Sequence, residues 1–188
     1  MKIDTTTLTG TAVLAALVVV FDYTMKYSNL KILFPWLPFL KFDFTGIPIV
    51  LSLLLFGLVP GAFTSAIAFI AILARSTDVV GSSMKGLAEF STILGMAIGL
   101  TLFKRFKVIS SFTLGVISRV LVMMAANLVL IYVGIMSLPS SYADIPLFVV
   151  LLLGLFNVIQ GALSIIGGQL VFEAIRKRAP LLIKKTNE

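Results

Sequence analysis

Residues 49–56 read Ile49-Val50-Leu51-Ser52-Leu53-Leu54-Leu55-Phe56, apolar at seven of eight positions. A strand of a membrane barrel alternates lipid-facing and lumen-facing residues with period two. This run does not alternate. A helix also satisfies every backbone N–H and C=O within itself, which lipid requires. Residues 49–56 therefore read as part of a helix in a membrane.

The same character extends in both directions. Apolar segments cover Leu8–Tyr23, Ile47–Val59, Gly61–Leu73, Gly86–Phe103, Phe112–Met136 and Ile145–Phe172. A spanning helix needs about 20 mostly apolar residues. Segments two and three are short by that measure and read as a tight helical pair, one of them tilted or broken. Pro60-Gly61 is the turn signal between them. Of the 188 residues, 59% are hydrophobic and 12% charged, with a mean hydropathy of +1.11. A soluble domain is about 45–50% apolar and about 25% charged. The expectation is an all-α integral membrane bundle of six transmembrane helices, one domain over 1–188. No cleaved signal peptide is expected, since no A-x-A pattern follows the first run.

The chain has no Cys and no His. Thiol chemistry, disulfides and Cys-based metal sites are excluded, and so is the usual neutral-pH base. An enzyme would have to work with Glu89, Asp43 or serines, and no paired constellation is visible. Neither enzymatic activity nor a metal site is expected.

Lys and Arg set the orientation. One side carries Lys2, Lys104, Arg105, Lys107, Arg176, Lys177, Arg178, Lys184 and Lys185, and the other Lys26, Lys31, Lys41, Arg75 and Lys85. Nine against five places both termini in the cytoplasm of a multi-pass cell-membrane protein. The basic tail serves orientation, with contact to anionic lipid or a cytoplasmic partner as the alternative. Arg119 falls inside segment five, about 12 Å from its cytoplasmic end, and is expected to snorkel.

The connection between segments one and two contains Leu33-Phe34-Pro35-Trp36-Leu37-Pro38-Phe39-Leu40. So apolar a loop either lies in the interface or closes over a cavity as a lid. Charges within lipid are costly and mark functional candidates. Asp22 and Lys26 stand four apart and read as a solvated helix end. Lys85 and Glu89 form a second such pair, with Glu89 one turn inside an apolar run. Asn127, and Asn157 with Gln160 on one helix face, either fasten helices or bind a polar-edged ligand. By depth, Glu89, Asn157 and Gln160 fall at one level beneath the outer loop. Gly95/Gly99 and Ser164/Gly168 mark close helix approaches, as does the Ala12/Ala16 pair with Ala15 beside it.

The stretch Leu37-Pro-Phe-Leu-Lys-Phe-Asp-Phe-Thr-Gly-Ile-Pro48, the following Leu55-Phe-Gly-Leu-Val-Pro-Gly-Ala62, and Leu155-Phe-Asn-Val-Ile-Gln-Gly161 carry a resemblance. The chain resembles the substrate-binding S components of energy-coupling factor (ECF) vitamin importers, and most nearly the riboflavin-binding group. The family shows Leu-x-Phe-Asp-Phe-Ser-Asp-Ile-Pro, then Phe-Gly-Pro-x-x-Gly, and Pro-Phe-Asn-x-x-Lys-Gly. The resemblance implies a vitamin-binding subunit that captures its ligand outside and delivers it inward with a T component and two ABC ATPases. The absence of a Walker A motif agrees with a separate motor. It implies ligand contacts from Trp36, Phe39, Leu40, Lys41, Phe42, Asp43, Thr45, Glu89, Asn127, Asn157 and Gln160, and T-component docking through Ala12, Ala15 and Ala16. Riboflavin enters as transported ligand, not cofactor, and no nucleic acid is implicated. Gln160 stands where the riboflavin group has Lys, Glu89 where it has Asn, Gly46 where it has a second Asp, and Leu58 where it has Pro. These departures keep another vitamin or a nucleobase-like compound open as ligand. A non-transport membrane scaffold is the reading outside the family.

Overall fold

The computed structural model describes residues 4–103, 105–136 and 146–179. Lys2, Lys104, Lys184, Lys185 and Ile145, which entered the orientation and span readings, lie outside them. Among the described residues six helices follow one another: α1 (Thr5–Tyr27), α2 (Gly46–Phe56), α3 (Leu58–Ser76), α4 (Val79–Leu102), α5 (Lys107–Tyr132) and α6 (Pro146–Arg178). Five are long and apolar enough to cross a membrane. The exception is α2, with 11 residues, about 16 Å at helical rise, roughly half a bilayer core. The shortness expected of segments two and three thus belongs to α2 alone. With 19 residues, α3 is a full-length candidate span.

The break between α2 and α3 is at Gly57, not at Pro60-Gly61. Gly57 has φ +94°, a conformation open to glycine and strained for other residues. Pro60 is the third residue of α3, within the first turn, where a missing N–H costs nothing. The Pro-Gly pair therefore starts a helix here instead of ending one.

The connection from α1 to α2 is a hairpin of β1 (Ile32–Leu33) and β2 (Lys41–Phe42), antiparallel with Ile32 opposite Phe42. It is held by its side chains more than by its two-residue strands. Phe34 and Leu37 are buried against Val149, Leu153 and Phe156 of α6. A second cluster, with Val18, Ile49, Val50, Ala68, Ile93, Met96 and Ile165, joins α1, α2, α3, α4 and α6.

Apolar residues face outward along most of the surface, including Phe63, Leu121, Val129 and Leu170. In lipid such exposure costs nothing, and association relies on close packing. The glycines supply it. A Cβ on Gly95 would strike the Leu114 carbonyl, and one on Gly99 would lie 2.5 Å from the Ser110 carbonyl oxygen, so α4 and α5 touch backbone to backbone. A Cβ on Gly168 would meet Val50 Cγ1 at 2.5 Å, seating α6 on α2. On α1, Ala12 and Ala16 face outward while Ala15 is buried. The outward surface is therefore carried by Ala12 and Ala16 without Ala15.

Candidate functional site

A cavity of about 430 Å³ lies between the hairpin, α4, α5 and α6. Phe39, Leu40 and Lys41 of the hairpin form one wall. Phe156 and Leu153 of α6 and Met123 of α5 give it apolar faces, and Asn127, Asn157, Gln160, Lys85 and Arg119 bring polar groups to it. Apolar walls with a few placed polar groups are the common form of a small-molecule site.

The expected ligand-contacting residues divide. Phe39, Leu40, Lys41, Asn127, Asn157 and Gln160 line the cavity. Trp36, Phe42, Asp43, Thr45 and Glu89 are not in its lining. Trp36 is about half exposed, because burial of Phe34 and Leu37 turns it to the outside of the hairpin, with its ring 5.1 Å from Phe34. Phe42 stands behind the wall, its ring 4.8 Å from that of Phe156. Asp43, Thr45 and Glu89 are buried supports.

The supports form a chain of charges through the bundle. Asp22 of α1 is fully buried and pairs with Lys31 of the hairpin and Arg75 of α3, both at 2.6 Å. It does not serve as a solvated helix end with Lys26. The local pairing gave way to two cations that arrive from other elements and replace the water lost on burial. Lys31 lies 3.9 Å from Asp43, and Asp43 accepts from Lys85 at 2.8 Å. Lys85 also meets Glu89 at 2.8 Å. Arg119 of α5 reaches the same Glu89 oxygen at 3.2 Å. Unpaired, these groups would each cost several kcal/mol in a dry interior.

Arg119 does not snorkel. It is 2% exposed, and its Nε donates to Asn157 Oδ1 at 3.1 Å while its Nη1 donates to Glu89 and to Thr92 Oγ1. Distance from the membrane surface made snorkelling possible. The α4 contact through Gly95 and Gly99 instead turns this face of α5 towards Glu89. Arg119 thereby joins Asn157 of α6 to Glu89 of α4.

Gln160 ties the hairpin to α6. Its Nε2 donates to the Asp43 carbonyl at 2.8 Å, and its Oε1 accepts from the Asp43 N–H at 3.3 Å. Thr45 donates to the Asp43 carboxylate through Oγ1 at 2.7 Å. Burial works to raise the Asp43 pKa, but Lys85, Thr45 and Lys31 outweigh it and hold the carboxyl at about 2, below its usual 3.8. Asp43 therefore stays ionised as the hub joining hairpin, α4 and α6.

Sequence reasoning passed over Arg119 and Lys85 as cavity groups. Each was visible as a charge inside or beside an apolar run, the default mark of function in a membrane.

No family model and no curated protein matches the chain. A solved structure of the S component of a bacterial ECF transporter is similar to it, with TM-score 0.72 and 20% identity over 91% of this chain and 95% of that one. The two share a fold. At this identity the likeness carries the arrangement of helices and not the ligand.

Proposed function

We propose that the chain is the solute-binding S component of an ECF-type importer, working with a T component and two ABC ATPases. The observation that carries this reading is the shared fold over nearly the whole of both chains. The cavity beside the hairpin is the supporting feature, since a binding subunit needs a site for its solute and no motor of its own. The orientation follows the basic residues, with both termini inside and the hairpin outside.

Riboflavin is the ligand that the resemblance supplies, and the first to test. Its ring system would lie against Phe156, with Asn127 and Asn157 at its polar edge. Another vitamin or a nucleobase-like compound is the alternative, since Gln160 and Glu89 depart from the riboflavin pattern and both are engaged in holding the hairpin and the charge chain.

Docking to the T component is assigned to the outward small-residue face of Ala12 and Ala16. The test is co-purification with a co-expressed T component and its ATPases. The wild-type chain should be retained by the complex. Ala12→Trp/Ala16→Trp should lose that association and keep its ligand-induced stabilisation. Survival of the association would remove the docking assignment. Failure of the wild-type chain to associate would remove the importer role.

A further inference from the structure

The cavity has an imbalance of charge. Arg75, Asp22, Lys31, Asp43, Lys85, Glu89 and Arg119 alternate in sign along the buried chain, which therefore carries one net positive charge and ends on Arg119 at the cavity. Of the residues around the cavity, Lys41, Lys85 and Arg119 are cationic, and Asp78 is the carboxylate among the described lining. Asp78 is exposed and already accepts from the Gly81 N–H at 2.9 Å as the cap of α4.

Hydrogen-bond capacity repeats the pattern. Arg119 has five N–H donors. Nε uses its one on Asn157, and Nη1 uses both on Glu89 and Thr92. Nη2 donates to nothing among the described residues, although the side chain is nine-tenths or more buried and lines the cavity. Lys85 has three donors, and the carboxylates of Asp43 and Glu89 take two. Two cations on one Glu89 oxygen thus each keep donor capacity where a solute would sit.

We propose that the solute carries an acidic group, a carboxylate or phosphate, that seats between Arg119 Nη2 and Lys85 Nζ. It neutralises the surplus charge, and its apolar body lies along Leu153, Phe156 and Met123. This rests on the reading of the cavity as the solute site, and it selects against neutral riboflavin within that reading. A desolvated cation with an open donor gains most from an ionised acceptor, since charge-assisted hydrogen bonds are the strong ones.

The experiment is a thermal-shift titration of the full chain in neutral detergent with matched probe pairs. These are biotin and its amide, pantothenate and panthenol, nicotinate and nicotinamide, and FMN and riboflavin. In the pair that binds, the acid should bind about tenfold or more tightly than its neutral partner. A neutral partner that binds as well as its acid, or no stabilisation by any acid at millimolar concentration, overturns the inference. Phosphatidylglycerol is titrated in parallel, and stabilisation by it alone would assign the site to a lipid headgroup and overturn a soluble solute. Ala88→Phe and Met84→Trp fill the cavity from two positions and separate this inference from the site itself. Loss of binding in a folded variant with no acid preference in the wild type leaves the site and removes the acid. Binding that persists in both removes the site.

Discussion

Replacing Arg119 with Met takes one guanidinium out of the middle of the bundle while keeping an unbranched stem of similar reach. Three hydrogen bonds go with it: those to Glu89 at 3.2 Å, Thr92 at 3.1 Å and Asn157 at 3.1 Å. Glu89 is fully buried, and its Oε2 has no partner among the described residues. After the change its Oε1 depends on Lys85 alone. Removing one partner of a buried ion pair costs about 3–5 kcal/mol, whereas losing a solvated one costs about 0–1 kcal/mol. The expected loss for Arg119→Met is therefore about 3–5 kcal/mol, read by SDS titration of the purified protein in mixed micelles. Glu89→Gln in the same background should restore part of it, because it removes a buried carboxylate left with Lys85 alone. The cycle of single and double variants should give a coupling of about 1 kcal/mol or more. A loss below about 1 kcal/mol with no coupling would refute the buried pairing and return Arg119 to a side chain reaching for the membrane surface.

Three further outcomes are expected. Gln160→Leu removes both bonds to the Asp43 backbone and should loosen the hairpin by about 1–3 kcal/mol, seen as faster proteolysis between residues 28 and 45 while the helices stay intact. Gly99→Leu should cost about 1–3 kcal/mol or more by overpacking α4 against α5, whereas Leu170→Ala on the outward face of α6 should stay within about 0.5 kcal/mol, both in the SDS titration. The folded Asp43 pKa is depressed, so its contribution is present above the unfolded value of 3.8 and is lost as pH falls from there towards about 2. Emission of Trp36, the chain's one tryptophan, should report hairpin release in that window in the wild type and not in Asp43→Asn, and equal profiles would remove Asp43 as the hub.

What the sequence could and could not yield follows from how far apart the partners lie. Gly95 and Gly99 were legible as a packing face because the requirement, two small residues one turn apart, sits within one helix. Lys85 and Glu89 were legible for the same reason. Asp22 was misread because its partners, Lys31 and Arg75, come from the hairpin and α3, and the local candidate was Lys26. Arg119 was misread because depth along a helix is countable at 1.5 Å per residue but rotation about the helix is set by packing. Gln160 was expected at the ligand and does line the cavity, yet its amide is spent on Asp43, a contact across 117 residues. The α2–α3 break went to Pro60-Gly61 because that pair is a strong turn signal, although proline is equally at home in the first turn of a helix.

The cavity beside the hairpin is proposed to hold a solute. The most direct measurement is native mass spectrometry of the full chain after gentle purification. It should show a single small organic solute per chain, which identifies the ligand, and Ala88→Phe should eliminate the adduct while the protein stays folded. A folded wild-type protein with no adduct, and none formed on adding any of the paired probes, would contradict it.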